Sequence, residues 1–428
     1  MCRGMKESGI EWIGEIPEQW SVRKYKSICN IYAGGTPDTN KLEFWNGDIP
    51  WLPSGKIKND DIYEADKFIT NLGLEKSSTK LIKENTTLLA MTGATCGNVG
   101  FLRIKSCANQ SVMAFENLNK SFLDRFIYYT LLSQREAILL QKTGGAQSGI
   151  NVEDGKNLFL PSCSYITQEK IVNYLDKKVS QINDIISKQK ILIEKYKSYK
   201  QSLITETVTK GLNKNVPMKD SGVEWIGEIP SHWKVERIKY LIDFNPSYSE
   251  TLNDDVSVSF APMECVGNGY MNFKEAKLKD VKGKYTYFAD KDIIMAKVTP
   301  CFENGNIAIA NDLINGVGFG SSELYVFRCK RIDNKFMFYY LRNNIFKEGC
   351  ISTMTGTGGL KRVSSSFIEN YYIGIPKMDE QKEIAEFLDK KCNAIDCAIS
   401  KKEELIEKLE SYKKSLIYEC VTGKREVN

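Results

Sequence analysis

The side chains best suited to catalysis are few and poorly grouped. His232 is the only histidine in a chain of 428 residues, so a His-rich metal site is excluded and a histidine-based triad has no second candidate. It reads as a surface residue. Twelve cysteines form no CxxC pair, and the closest two, Cys392 and Cys397, sit five apart on a predicted helix, which favours reduced, mostly buried thiols over zinc or disulfides. Glu380 and Lys382 in "PKMDEQK" loosely match a nuclease carboxylate cluster. Acidic residues crowded at the start of a helix also serve as cap and first-turn charges. No GxxxxGK[ST] loop is present, and "TGTGG" at Thr355–Gly359 continues as "LKR", outside the dinucleotide fingerprint.

One further tetrad needs weighing. "NPSY" at Asn245–Tyr248 is similar to the Asn-Pro-Pro-Tyr motif with which adenine methyltransferases hold the target amino group. The second proline is missing, and no glycine-rich strand–turn–helix for S-adenosylmethionine is visible. A stand-alone DNA adenine methyltransferase with a diverged motif is therefore the alternative reading, set against a plain loop turn. The commoner polar signal is different: loops rich in Gly, Thr, Asn, Gln and Ser lie between short strands. Such loops can be ordinary turns, yet their amides and hydroxyls are also the groups that bond base edges and phosphates.

The elements that must position these loops come in two copies. "SGIEWIGEIPEQW" at Ser8–Trp20 returns as "SGVEWIGEIPSHW" at Ser221–Trp233, ten of thirteen positions being identical at an offset of 213. The same offset relates Gln168–Thr209 to Gln381–Thr422 without a gap, "LDKK" and "LIEK" recurring in both. Leu175, Val179, Ile182, Ile186, Gln189, Ile193, Tyr196, Lys200 and Leu203 follow a 4-3-4-3 spacing, as do Leu388, Cys392, Ile395, Ile399, Lys402, Ile406, Leu409, Lys413 and Leu416. That spacing predicts two coiled-coil helices of about 63 Å, each needing a partner, stopped near Gly211 and Gly423. The natural partner of each is the other, antiparallel about a pseudo-twofold axis.

Between phrase and helix lie two middles that read as mixed α and β, alike in length and largely unlike in sequence. The boundaries expected are 1–166 and 213–378 for the globular parts, with helices in 167–212 and 379–428. The fold class is α+β: two α/β-mixed globular domains and two long antiparallel helices in a quasi-circular repeat. Pseudo-symmetry then places the first phrase beside the C-terminus. Length implies two or more domains. A composition 42% apolar and 26% charged is that of a soluble globular protein. The net charge of +5 is compatible with DNA binding without demanding it. No run of about 18 apolar residues and no apolar signal core occur, so a cytoplasmic location without membrane contact is expected.

Taken together, the chain resembles the specificity subunit of type I restriction–modification systems. The resemblance covers essentially the whole chain and rests on "EWIGEIP...W" in both copies, "GGTP" with "FWNGDIPWL", Asn109 and Gln110, "GFGSSE" at Gly318–Glu323, and "Q..I...LDKK" opening each helix. It implies that each middle is a target recognition domain reading one half of a split, asymmetric site in double-stranded DNA. The helices would set the gap between half-sites and dock two modification subunits, which carry S-adenosylmethionine and methylate adenine at N6. ATP and Mg would belong to separate restriction and motor subunits. This chain would be non-catalytic and hold no cofactor or metal.

On that resemblance the DNA-facing residues expected in the first domain are Gly34, Gly35, Thr36, Lys41, Thr92, Thr95, Asn98, Gln147, Ser148 and Asn151. In the second they are Lys297, Thr299, Asn304, Ser321, Ser322, Gly358, Gly359, Lys361 and Arg362. The glycines would allow close backbone approach, and Lys361 and Arg362 could pair with guanine or with phosphate. Asn109 and Gln110 are expected to support the loops from behind.

Overall fold

A computed structural model describes residues 4–140, 149–249, 252–357 and 359–427. The chain forms two compact units, Met1–Gln189 with Glu404–Asn428, and Lys190–Glu403. Each holds one phrase, one middle and half of each long helix. The division runs across the helices because each half-helix contributes its apolar face to a different core. Ile171, Leu175, Ile182 and Ile186 join Leu416, Ile417, Cys420 and Val421 in the first. Ile204, Val208, Ile384, Leu388 and Cys392 join the second.

The long helices are Tyr165–Lys210 and Met378–Val421, of 46 and 44 residues. Every position of both 4-3-4-3 seams is buried or half-buried. Their pairing is antiparallel within each unit. In the second, Lys200 Nζ lies 2.6 Å from Asp396 Oδ2 and Lys402 stands over the Tyr196 ring. In the first, Lys413 donates to Asn183 Oδ1 at 2.8 Å. Both helices end on a glycine in the left-handed region, Gly211 at φ 75° and Gly423 at φ 73°, where a side chain would be strained.

Each middle is built on the same sheet. In the first unit the strand order is Cys29–Ala33, Val112–Asn117, Thr87–Ala90, Val99–Leu102, Asp61–Ile62. In the second it is Ile242–Phe244, Leu324–Cys329, Ile293–Ala296, Ile307–Ile309. Thr87–Ala90 and Ile293–Ala296 are buried at every residue, as suits a central strand covered on both faces. Each unit has a second sheet, of three strands in the first and four in the second, containing the parallel pair Trp51↔Cys107 in one and Ser259↔Gly318 in the other. "GFGSSELYVFR" thus divides between two sheets, its first half in Val317–Gly320 and its second in Leu324–Cys329.

The repeated motifs are fasteners. The phrase folds as a small hairpin, Met5–Glu7 against Glu15–Pro17 and Met218–Asp220 against Glu228–Pro230. Its Trp20 and Trp233 are buried. The first phrase meets the end of the second long helix: Tyr418 Oη donates to Ile13 O at 3.2 Å, and Gly423 packs on Pro17 and Trp20. The second phrase packs on Gly211 through Trp233 and Pro230. The first phrase thus lies beside the end of the second long helix, as the repeat led one to expect.

At the other end of each long helix, "Q..I...LD" holds the middle. Gln168 and Gln381 are buried. Gln168 Oε1 accepts from Leu123 N at 2.9 Å, while its Nε2 donates to Ser121 O and Cys163 O. Gln381 Oε1 accepts from Asp333 N at 2.7 Å, and its Nε2 donates to Pro376 O at 2.9 Å. These bonds hold the N-cap residues Leu123 and Asp333, which open the aromatic-rich helices Asp124–Ser133 and Asn334–Leu341. About two turns further along each long helix, Asp176 accepts from Tyr129 and Arg125, and Asp389 from Tyr339 and Lys335.

Gln381→Leu keeps the volume and orphans a buried N–H and a carbonyl, so it should cost about 1–3 kcal/mol for each group left unpaired. The neighbouring, exposed Lys382→Leu should stay within about 0.5 kcal/mol of the parent. Urea unfolding of both variants measures the difference, and equal midpoints would contradict this role.

Candidate nucleic-acid interface

In the second unit the hairpin joining Ile293–Ala296 to Ile307–Ile309 is closed by Ala296 N to Asn306 O at 2.9 Å. Two other segments are bonded to its base. Lys297 N donates to Glu323 O at 3.0 Å, and Val363 N donates to Lys297 O at 2.9 Å. Thr299 then clamps the 355–363 loop: its N donates to Lys361 O, its hydroxyl donates to Gly359 O at 2.6 Å, and the hydroxyl oxygen accepts from Lys361 N at 3.0 Å. Arg362 exchanges both backbone bonds with Thr355. Its side chain grips Glu323 with a fork, Nε to Oε2 at 2.8 Å and Nη2 to Oε1 at 2.9 Å.

The structure therefore brings Lys297, Thr299, Ser321, Gly359, Lys361 and Arg362 into one cluster. Ser321 Oγ accepts from Glu323 N at 3.2 Å, and Ser322 is exposed in the same turn. Asn304 is exposed at the far side of the hairpin, where it lines a cleft of about 450 Å³ with Arg342 and Lys347. Gly358 lies outside the described residues.

The first unit repeats this backbone with other side chains. Ala90 N donates to Asn98 O, Met91 N to Ser111 O, and Ile150 N to Met91 O. Met91, Ser111, Gly149 and Ile150 thus stand where Lys297, Glu323, Arg362 and Val363 stand in the second. Thr92 is exposed and bridges Gly149, and Thr95 bonds back to the Thr92 carbonyl. Thr36 donates to Gln110 Oε1, joining the exit of Cys29–Ala33 to the loop that ends in Ser111. Asn98 is partly spent within the fold, its amide donating to Ile57 O at 2.9 Å and accepting from Arg135. Asn151 is exposed and forms a capping box with Asp154 on the helix Val152–Asn157.

Gly34 and Gly35 do permit close approach, and the partner is the chain itself. An added Cβ would fall 2.1 Å from Ala108 O at Gly34 and 2.4 Å from Thr79 N at Gly35. Lys41 is exposed with its ammonium over Phe44. Gln147 and Ser148 lie outside the described residues. Glu323 was not among the expected site residues. Its only signal in sequence is an acidic residue at the mouth of a mostly apolar strand, 39 residues before its partner.

The tetrad that resembled a catalytic motif has another job. Asn245 N donates to Val326 O at 2.8 Å and Asn245 Oδ1 accepts from Val326 N at 2.9 Å, so the side chain extends the sheet register. Tyr248 packs on Tyr287 and Phe319. Glu380 bonds His232 Nε2 at 2.8 Å and Trp233 Nε1 at 3.1 Å, fixing the second phrase. Among the described residues no group of three His, Cys, Asp or Glu could hold a metal ion. No described helix is long and apolar enough to cross a membrane. Burial pushes the Cys29 and Cys329 thiols up to about 12, away from nucleophilic use at neutral pH.

Fold and site thus define one module used twice: a mixed α/β domain seated on the long helices, with a loop edge of backbone amides and hydroxyls beside its central strand. The chain belongs to the family of the type I restriction modification DNA specificity domain, whose model matches residues 17–195 and again 230–409. It is similar to the type I restriction enzyme MjaVIII specificity subunit of Methanocaldococcus jannaschii, 27% identical over 96% of this chain and 94% of that protein. The EcoAI specificity subunit of Escherichia coli is 38% identical over 37% of this chain, a match that spans 27% of that relative's length. The EcoEI subunit is likewise matched over 31% of its own length. The fold is also that of a solved chain described under complex assembly and conformational transition of the type I R-M system. That match has a TM-score of 0.73 and 14% identity, and covers 96% of this chain and 99% of that one. The HsdS subunit from Thermoanaerobacter tengcongensis gives 0.52 at 13% identity, covering 96% and 98%.

The fork from Arg362 holds the Glu323 carboxyl below the ordinary glutamate range. A depressed carboxylate stabilises its pair above the unfolded pKa and loses that contribution as pH falls through the folded value. An NMR titration of Glu323 should therefore show a midpoint below about 4.3, returning there in Arg362→Ala. A midpoint unmoved by that substitution would dissolve the pair in solution.

Proposed function

We propose that this chain is the DNA-binding specificity subunit of a type I restriction–modification complex, reading a bipartite, asymmetric site and directing N6-adenine methylation and restriction by partner subunits. One observation carries the asymmetry. The two loop clusters share a backbone hydrogen-bond pattern and differ at the side chains it presents, Gly149 and Ser111 in one, Arg362 and Glu323 in the other. Identical clusters would suit a palindrome; unlike clusters on a repeated frame suit two different half-sites.

In this reading residues 1–166 and 213–378 are the target recognition domains, and 167–212 with 379–428 are the spacer. The loops carrying Thr92, Thr95 and Asn151, and those carrying Lys297, Thr299, Ser321, Lys361 and Arg362, face DNA. The chain itself is non-catalytic and works in the cytoplasm. S-adenosylmethionine is held by the modification subunits, and ATP with Mg by the restriction subunits.

The stoichiometry of two modification subunits has its own support. Leu192 and Tyr199 are 38% and 56% exposed, one heptad apart on the first long helix. Their repeat equivalents Leu405 and Tyr412, on the second, are 40% and 48% exposed. A twice-repeated apolar pair away from the seam suits two copies of one docking partner.

Replacing residues 21–165 by the corresponding segment of a relative should change one half of the methylated sequence and leave the other, as read by methylome sequencing. An unchanged pattern would point to a structural adaptor, and methyl transfer by the purified chain alone would point to the methyltransferase alternative. Substituting Leu192 and Tyr199 together by Lys and Glu should leave one modification subunit bound instead of two, as seen by native mass spectrometry. Retention of both would remove this pair from the interface.

A further inference from the structure

We propose that Glu323 and Arg362 are a prebuilt reader of one guanine in the half-site assigned to the second unit, with Glu323 as a specificity-determining positioning residue. The proposal rests on the reading of this chain as a DNA-specificity subunit, and extends it from a loop cluster to one base.

The argument starts from the guanidinium, which offers five N–H donors in a flat fork. Glu323 takes the edge formed by Nε and one hydrogen of Nη2. What remains unused by Glu323 is the edge shared by Nη1 and the second hydrogen of Nη2. Two parallel donors on one edge match the O6 and N7 acceptors of guanine in the major groove, and no other base presents that pair. An arginine meant for a phosphate alone has no need of this restraint.

Both ends of the pair are anchored. Arg362 is bonded through its backbone to Thr355, and the residues on either side of it to Thr299 and Lys297. Glu323 is fixed by its own amide to Ser321 Oγ and by its carbonyl to Lys297 N. The pair is nonetheless accessible, the side chains of Arg362 and Glu323 being 48% and 29% exposed. A rotamer-rich side chain is thus ordered before binding, which lowers the entropic cost of docking it on a base. In the first unit Gly149 and Ser111 hold these positions, so the contact belongs to one half-site only.

The test uses the full chain with its modification subunits and a pool of randomised DNA duplexes, the enriched motif being read for each variant. The unaltered complex should enrich a bipartite motif with a guanine in one half. Arg362→Lys keeps the charge and loses the fork, so discrimination at that single position should fall by roughly 5- to 150-fold while the other half-site stands unchanged. Glu323→Ala should loosen the same position and strengthen binding to unrelated duplexes, since a carboxylate is removed and the arginine is freed to meet phosphate. Two variants with one predicted position keep the test decisive even if one fails to assemble. A parental motif from Arg362→Lys, with all duplexes weakened alike, assigns Arg362 to phosphate and overturns the proposal. Parental discrimination in Glu323→Ala overturns the role of Glu323. Failure of the unaltered complex to enrich any bipartite sequence overturns the proposed function instead.

Discussion

One buried glutamine per repeat sets the geometry on which everything else rests. Gln168 and Gln381 are buried, and a buried primary amide is tolerated only when its donors and acceptor are met. Each meets them with backbone groups of the segment entering its aromatic-rich helix and of the segment entering its long helix. Such bonds are directional where apolar packing is not. They therefore fix how a β-domain is seated on its helix, and the aspartates two turns on fix its rotation by holding a buried tyrosine hydroxyl.

That seating explains how the repeat can diverge where it does. The ladder common to both loop clusters is made of bonds from backbone to backbone, so it does not depend on which side chains stand at its shared positions. Met91 can become Lys297 and Gly149 can become Arg362 without disturbing the ladder they sit on. The sequence constraint falls on the fasteners, which is why "EWIGEIP" and "Q..I...LDKK" are legible in both copies while the middles are not.

The same distinction governs what could be read in advance. The long helices were plain because their 4-3-4-3 spacing is local, and the two stops because a helix end needs a left-handed residue at Gly211 and Gly423. The phrase was legible as a repeat at an offset of 213, while the anchoring role of its buried Trp20 and Trp233 came from the fold. The division into units across the helices was not readable, because it depends on which domain covers each half-helix. The common sheet was hidden too: its equivalences are in hydrogen bonds, such as Lys297 to Glu323, that leave no trace in residue type. For the site, the cluster around Thr299 and Arg362 was accessible as a set of polar loop residues. Glu323 was not, since pairing across 39 residues is a product of the fold, and the packing duty of Gly34 and Gly35 came from the same source.

Internal bonding is the property these loops have in common, and under the proposed function it bears on how a mildly charged chain can be selective. A net charge of +5 spread over 428 residues gives only a weak long-range attraction to a polyanion. Where long-range attraction is weak, discrimination depends on short contacts made without reorganisation. Thr299 closing on Gly359 and Lys361, Ser321 on Glu323, and Glu323 on Arg362 each settle in advance a torsion that would otherwise be fixed only on binding. The acidic residue in the cluster is consistent with this. It subtracts from general affinity for a polyanion, and it is tolerable only where orientation matters more than charge. Selectivity in such a site is built as much from what the loop refuses to bind as from what it holds.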